Sequence, residues 1–258
     1  MKKLKIIKKL FLFALIICAS YLIVTWSFFY EVPILMYHHV SSTYVRSPLL
    51  NVSPQSFRKQ MDLIARHHYK VMPLEDIVEA LSQNKPILRK TIAISFDDGF
   101  EDIYENAFSI LKYYHFPATI FMASSFIGTK GYLTLGQLKE MQKYGIDVAS
   151  HTRTHFYLPE ANQEELRKEI FGSKVDLENK LGTVINLFCY PAGGRNVAIM
   201  GLVKNAGYMG ACVSNKAGPI NKSNLFEIRR IKMGEDSDSP FIMWAKLSGF
   251  YNLFRKPH

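Results

Sequence analysis

A regular alternation of short apolar runs with longer amphipathic stretches constrains the fold of this chain more than any other feature. From residue 31 onward the strand-like runs are VPILMYHHV, TIAISF, HFPATIFMA, IDVAS, NLFCYP, MGACVS and LFEIRRIKM. The helix-like stretches between them are SPQSFRKQMDLIARHHYK, EDIYENAFSILKYY, LTLGQLKEMQKYG, QEELRKEIFGSKVDLENKLG and VAIMGLVKNAG. Strands that alternate with helices form parallel sheets with the helices outside. We therefore predict an α/β fold, a distorted (β/α) barrel of about seven parallel strands.

The ends of the predicted helices carry the usual start and stop signals. Ser53 is a suitable N-cap with Pro54 at the first helical position, and Gly182 is placed to end the longest helix. No stretch rich in Gly, Pro and Ser interrupts the alternation. Residues 31–258 are therefore predicted to form one domain.

The N-terminal segment predicts a membrane anchor. Residues 10–30 carry no charge, and a helix of this length spans about 31 Å at ~1.5 Å per residue, enough for the hydrocarbon core of a bilayer. Five lysines lie within residues 1–9, which we expect to stay in the cytoplasm while residues 31–258 are exported. The alternative is a cleaved signal peptide and a secreted protein, for which Cys18-Ala19-Ser20 would be a poor cleavage site.

The charge of the chain argues against nucleic-acid binding. The formal net charge is +10, from 32 basic and 22 acidic residues. Five of the basic residues are the N-terminal lysines, which leaves 27 basic against 22 acidic residues, or +5, without a long basic run.

The cysteines give little information on function. Cys189 and Cys212 lie in apolar, strand-like runs, which favours two buried thiols over a disulfide.

Asp97-Asp98-Gly99 directly follows the apolar run TIAISF. In parallel α/β folds the carboxyl ends of the strands form the active-site edge, so two adjacent carboxylates there are well placed for function. Their mutual repulsion favours a bound cation or a shared proton. An ordinary Asp-Asp-Gly turn that caps a helix is the alternative.

His151 and His155 follow the strand IDVAS and are four residues apart. Two imidazoles at this spacing can bind one metal, although paired surface histidines are also common. Together with one carboxylate they would form a three-ligand site with open positions, as catalytic divalent metals require. The second carboxylate would then be available as a general base.

A third motif, CYPAGGRN, runs from a strand into a Gly-rich turn at residues 189–196. Glycines let backbone N–H groups approach a ligand closely, and such groups stabilise an oxyanion. Taken alone, the motif also fits an ordinary strand-to-helix loop.

The three motifs together, TIAISFDDGF, IDVASHTRTH and LFCYPAGGRN, resemble those of the polysaccharide deacetylase family, carbohydrate esterase family four or the NodB-homology domain. The resemblance covers roughly residues 32–233. VPILMYHHV and LFEIRRI are similar to the branch that contains the poly-N-acetylglucosamine deacetylases of biofilm matrix. In that branch the acid histidine comes from the N-terminal strand.

The resemblance implies a role for each matching residue. It makes Asp98, His151 and His155 ligands of a divalent metal, with Asp97 as the general base. It makes His38 the general acid, with His39 a weaker candidate.

The third motif is implied to contact the substrate and the oxyanion through residues Tyr190, Pro191 and Ala192. Many members have an arginine where this chain has Cys189, so the usual partner of the base is missing. Arg230 in LFEIRRI is the candidate replacement.

The implied function is a membrane-anchored, extracytoplasmic deacetylase that removes acetyl groups from N-acetylglucosamine units of a biofilm or cell-wall polymer. The ligand set suits zinc, although nickel, cobalt, iron and manganese bind similar sets. Peptidoglycan, chitin oligomers and O-acetylated xylan remain alternative substrates. A catalytically inactive protein that holds a glycan or its synthase is the alternative from another class.

Overall fold

A computed structural model describes residues 13, 30–43, 50–214 and 225–251 of the chain. The predicted basic tail 1–9 lies outside the described residues, as does the predicted anchor 10–30 apart from Phe13 and Tyr30. Among the helices of the described residues, none has the length and hydropathy needed to cross a membrane.

The described residues alternate between strands and helices, as the sequence predicts. The strands are β1 Ile34–Tyr37, β2 His39–Val40, β3 Asn51–Val52, β4 Lys70–Val71, β5 Thr91–Phe96, β6 Ala118–Met122, β7 Ile146–Ser150, β8 Leu187–Cys189, β9 Gly210–Val213, β10 Ile228–Arg229 and β11 Ile231–Lys232. The helices are α1 Pro54–Arg66, α2 Leu74–Ser82, α3 Phe108–Tyr114, α4 Leu135–Gln142, α5 Gln163–Arg167, α6 Ser173–Leu181, α7 Val197–Asn205 and α8 Pro240–Leu247. Wider π-helical turns, Ile103–Ala107 and Lys168–Gly172, precede α3 and α6.

The main sheet is parallel and closes into a near-barrel. Its strand order is β10-β9-β8-β7-β6-β5-β1-β11, and β4 adds to the start of β5. The last predicted strand, LFEIRRIKM, is wrong as a single strand because it splits at Arg230. Ile228–Arg229 pairs with β9, whereas Ile231–Lys232 pairs with β1 on the other side of the opening. With β10 and β11 taken as one interrupted strand, the barrel has seven parallel positions, and the prediction of about seven is confirmed.

Local signals explain where the elements begin and end. The Ser53 hydroxyl accepts a hydrogen bond from Ser56 N at 3.1 Å, and Pro54 occupies the first turn of α1. Gly182 ends α6 in the left-handed conformation with φ of 73°, which costs glycine little. Helices α2 and α8 were not predicted from the sequence.

The core has two parts, because both faces of the parallel sheet are buried. Side chains on alternate positions of β5 point to opposite faces. Ala93 packs in a cluster with Ile34, Phe121 and Cys189, which also includes residues of α2. The larger cluster lies between the sheet and the remaining helices. This double burial explains why the strands are continuous apolar runs.

Candidate active site

The acidic pair stands where β5 ends. Asp97 is almost fully buried, and its backbone N–H donates to Tyr37 O at 3.0 Å, which extends the pairing of β5 with β1. Asp98 and Gly99 then take left-handed conformations, with φ of 70° and 75°. A Cβ on Gly99 would lie 2.0 Å from Met122 Sδ, so the turn requires glycine. The reversal turns the two neighbouring carboxylates toward different partners.

The two histidines of HTRTH converge on Asp98. His155 Nε2 lies 3.1 Å and His151 Nε2 lies 3.4 Å from Asp98 Oδ1. His151 Nδ1 lies 2.8 Å from the carbonyl oxygen of Cys189, so it carries the proton and donates it. His151 therefore turns Nε2, its other ring nitrogen, toward the Asp98 carboxylate.

These three residues fit a divalent metal. Their ligand atoms all lie within 4.8 Å of one another. Asp98 Oδ1 is buried and accepts no well-directed hydrogen bond from the described residues, an arrangement that a cation would satisfy. Burial alone would raise the pKa of Asp98, but the two imidazoles outweigh it and hold the pKa well below its usual range. The carboxylate is therefore ionised, as a metal ligand must be.

Asp97 forms a buried ion pair with Arg230. Both guanidinium nitrogens Nη1 and Nη2 donate to the carboxylate at 2.6 Å, one to each oxygen. Burial would raise the pKa of Asp97, but Arg230 lowers it below its ordinary value, so the carboxylate is ionised at neutral pH. Nη2 also lies 3.0 Å from Cys189 Sγ. A cation between Asp97 and Cys189 would face this guanidinium, so the Asp98 group is the better metal site.

Arg230 reaches Asp97 because the last strand is interrupted at this residue. Its side chain is fully buried, Nη1 also donates to Ser95 Oγ at 3.2 Å, and the guanidinium lies 5.1 Å from the ring centre of Phe121. Arg230 thus makes the contact with Asp97 that we expected of a replacement for the arginine missing from the third motif. Cys189 and Cys212 are neighbours on β8 and β9, and both are free thiols.

The two histidines at the end of β1 have different surroundings. His38 Nε2 lies 3.8 Å from Asp97 Oδ2, and its side chain is 12% exposed. Burial lowers the pKa of His38 below its usual value, although Asp97 acts in the opposite direction. His39 instead pairs with Asp102, with 2.7 Å between Nδ1 and Oδ2, and its ring stacks on Phe100. Of the two, His38 is the histidine that faces the carboxylate pair.

The three residues of the third motif that were expected to contact the substrate differ in burial. Tyr190 is completely buried and packs against Phe188, so its ring lies in the core rather than at a surface for sugar binding. Pro191 is buried as well, whereas Ala192 is exposed and has a left-handed φ of 50°. The expectation of a substrate contact therefore does not hold for the Tyr190 and Pro191 side chains. Their burial leaves Ala192 as the exposed position of the three.

Glu169 was not singled out from the sequence, yet it holds the loop between the two histidines. Its carboxylate accepts hydrogen bonds from Arg153 N at 2.9 Å, Thr154 N at 2.8 Å and Thr154 Oγ1 at 2.7 Å. Thr152 and His155 have φ of 65° and 59°, so this loop forms no regular ladder of its own. The spacing of Glu169 from HTRTH gives no signal of this contact, which arises only when the π-helical turn packs on the loop.

The opposite side of the same loop is bound by a neighbouring turn. Ser124 N donates to Thr152 O at 3.2 Å, and Ser125 donates to Arg153 O through its backbone N–H and its hydroxyl. The loop backbone is thus held from both sides, which fixes the direction of His155.

The site has relatives of known family. The model of the family described as polysaccharide deacetylase matches residues 84–211. YxkH of Bacillus subtilis, described as a candidate polysaccharide deacetylase, is 30% identical over 203 residues, covering 79% of this chain and 71% of that protein. The chain belongs to the polysaccharide deacetylase family. It is therefore a hydrolase of the acetyl-releasing class, and the resemblance carried by the three motifs is confirmed.

Two further proteins similar to this chain are informative. The poly-beta-1,6-N-acetyl-D-glucosamine N-deacetylase of Staphylococcus epidermidis is 29% identical over 202 residues, covering 72% of this chain and 69% of that protein. The Streptococcus pyogenes deacetylase PplD, solved in complex with acetate, has 29% sequence identity and a TM-score of 0.77. That comparison covers 84% of this chain and 98% of PplD.

Proposed function

We propose that this deacetylase is a metal-dependent enzyme that removes acetyl groups from N-acetylglucosamine units of a polymer outside the cytoplasm. The observation that carries the proposal is the convergence of Asp98, His151 and His155 beside a separate, ionised Asp97. The similarity to the staphylococcal poly-N-acetylglucosamine deacetylase supports the choice of sugar. Zinc is the metal that this ligand set suits best.

Each part of the proposed site carries a different step of the reaction. When bound, a divalent metal at Asp98, His151 and His155 would supply Lewis-acid polarisation of the acetamide carbonyl. Asp97 accepts a proton from the attacking water as the water oxygen bonds to the carbonyl carbon. The backbone near Ala192 donates to the oxygen that becomes negative. The C–N bond then breaks, releasing acetate and a sugar amine.

The leaving amine needs a proton, and His38 is placed to provide it. Because burial keeps the His38 ring mainly uncharged at neutral pH, this ring must first take up the proton that it gives away. Asp97 Oδ2 is 3.8 Å distant and carries the proton removed from water. Since Arg230 lowers the pKa of Asp97, this carboxyl gives up its proton readily, and His38 lies between it and the leaving amine as the group that passes the proton on.

The proposed location rests on the sequence. The lysines of residues 1–9 and the uncharged run 10–30 support a single-pass anchor with residues 31–258 outside the cytoplasm. The deacetylated product carries amines that are protonated near neutral pH, so the polymer gains positive charge. Such a product would adhere better to anionic surfaces.

Acetate release by the full-length protein in detergent tests the proposal. The substrates are β-1,6-linked poly-N-acetylglucosamine, chitin oligomers, peptidoglycan and acetylated xylan, each with and without chelator and after zinc is restored. We expect release from the β-1,6-linked polymer, loss of release with chelator and recovery with zinc. Release from another polymer alone would overturn the choice of substrate, and release from none by metal-loaded protein would favour the inactive glycan-binding protein.

A further inference from the structure

The barrel carries a second large concave surface, at the end opposite the catalytic residues. A cavity of about 750 Å³ is lined by Tyr30, which precedes β1, by Lys90, which precedes β5, and by Trp244 of α8. A cavity of about 450 Å³ adjoins it and shares Lys90 and Trp244. Both lie at the amino ends of strands whose carboxyl ends bear His38 and Asp97. The six residues of β5 separate the two edges by ~20 Å at ~3.3 Å per residue.

The surface around these cavities is aromatic and basic. We call it the aromatic face, defined by Tyr30, Tyr69, Phe241, Trp244, Phe250 and Tyr251. The Phe241 and Trp244 side chains are 74% and 63% exposed, although both are large and apolar. Arg89 lies over the Tyr30 ring at 5.5 Å, and Lys90 over the Tyr69 ring at 5.8 Å. Within the described residues, neither cavity is lined by an aspartate or glutamate.

This combination of aromatic and basic side chains is typical of protein surfaces that contact a membrane interface. Tryptophan and tyrosine concentrate at membrane interfaces, where an apolar ring and a polar edge meet different surroundings. Lysine and arginine at the same depth attract anionic headgroups. Exposed aromatic side chains that lie together on one face are otherwise unusual for a soluble domain and mark an interaction surface.

The proposed membrane anchor, residues 10–30, ends next to the aromatic face. Tyr30, which lines the larger cavity, is the last residue of the uncharged run 10–30. Glu31 N donates to Gly249 O at 2.9 Å, which joins this point to the segment after α8. A barrel attached to a membrane at Tyr30 is attached next to Trp244 and Phe250, not next to Asp97.

We propose that the aromatic face rests on the headgroup region of an anionic phospholipid membrane, with the catalytic edge turned away from the bilayer. The inference rests on the proposed attachment of the protein through residues 10–30. It adds an orientation, in which the site works on polymer that is at least one barrel length from the lipid surface. Arg89 and Lys90 meet the lipid phosphates, and the Phe241 and Trp244 rings enter the interface.

The two tryptophans of the chain allow a direct test. Trp26→Phe leaves Trp244 as the single tryptophan of the full-length protein. This variant is reconstituted into vesicles of phosphatidylcholine and phosphatidylglycerol in which some phosphatidylcholine carries a headgroup spin label. We expect the spin label to quench most of the Trp244 fluorescence, and we expect aqueous acrylamide to quench Trp244 several-fold less than it does in detergent.

A matched reporter stands at the catalytic edge. Val197 is 82% exposed at the start of α7, directly after the third motif. In a Trp26→Phe, Trp244→Phe background, Val197→Trp should be quenched by acrylamide and left unaffected by the spin-labelled lipid. The difference between the two reporters measures orientation rather than mere attachment.

Three outcomes overturn the inference. In the first, Trp244 is as open to acrylamide as Val197→Trp. In the second, Trp244 is shielded from acrylamide without quenching by lipid. In the third, the protein does not associate with vesicles. Shielding without lipid quenching would mean that a second copy or residues 252–258 cover the face. Acetate release measured on the same vesicles separates this test from the proposed function, because quenching and activity can each be lost alone.

Discussion

The carboxylate of Glu169 should determine how tightly the proposed metal site binds zinc, although Glu169 is not among the three proposed ligands. It accepts three hydrogen bonds from residues 153 and 154, between the two histidines. Glu169→Leu removes all three acceptor contacts and leaves two backbone N–H groups without a partner. Each such loss costs ~1–3 kcal/mol, so the native loop is destabilised by several kcal/mol relative to other conformations.

Only part of this free energy is expected to appear as weaker metal binding, because Ser124 and Ser125 still hold the other side of the loop. Substitutions behind metal-binding histidines typically weaken affinity ~10–100-fold, and we expect Glu169→Leu to fall in this range. Glu169→Gln should lose much less. Its amide oxygen can accept from both N–H groups while its NH₂ donates to the Thr154 hydroxyl.

Competition with a chromophoric chelator measures the zinc affinity of each purified variant, and circular dichroism confirms that each is folded. Glu164→Leu is the matched control, since the Glu164 side chain is exposed in the same helical segment and its carboxylate forms an ion pair with Lys168. Wild-type affinity in folded Glu169→Leu would refute the reasoning. So would an equal loss in Glu164→Leu, or a loss in Glu169→Gln as large as that in Glu169→Leu.

Three other predictions concern residues with distinct roles. Asp97→Asn should keep stoichiometric metal in elemental analysis, because no proposed ligand is removed. It should lose turnover ~10²–10⁴-fold, because the proposed general base is removed. Loss of metal would reverse the assignment of the two carboxylates. His38→Ala should lower kcat strongly with metal content unchanged, whereas His39→Ala should lower it much less; equal effects would contradict the geometry at the end of β1. Burial and nearby acidic residues raise the pKa of Asp147 to about 6. The stability that the folded state gains by binding this proton is therefore fully present below pH 4 and is lost as the pH rises through 6. Asp147→Asn should therefore raise the free energy of unfolding at pH 8 by ~1–2 kcal/mol and change it little at pH 4 in denaturant titrations; an equal gain at both pH values would refute this cause.

The parts of the fold that follow local rules were predictable from the sequence. The strands are buried on both faces, so they are continuous apolar runs, and the polar motifs at their carboxyl ends necessarily share one edge. The acidic pair Asp97-Asp98 and the two histidines of HTRTH could be placed at one edge on these grounds, whereas the choice of Asp98 as the metal ligand came from the family resemblance. Helix α2 was missed because Pro73 provides no side-chain cap, although Glu75 and Asp76 in its first turn were a usable signal.

Contacts that depend on tertiary packing were not predictable in the same way. The interruption at Arg230 exists because the residues on either side of it pair with opposite ends of the sheet, which no local pattern encodes. Glu169 contacts HTRTH through a π-helical turn, and its sequence neighbourhood reads as an ordinary amphipathic helix. Tyr190 follows an apolar strand, and only the closed barrel shows that its ring packs inward.

The interrupted last strand also links closure of the barrel to the pairing of Asp97. Arg230 and Asp97 are 133 residues apart in the chain, and the strand that delivers the guanidinium is the one that closes the barrel. Until that strand has docked, Asp97 lacks its partner and β1 lacks a neighbour on its open side. Closure of the barrel and pairing of Asp97 with Arg230 therefore depend on the same strand. The same short segment, residues 228–232, therefore supplies both a strand pairing to β1 and the guanidinium that holds the buried Asp97 carboxylate.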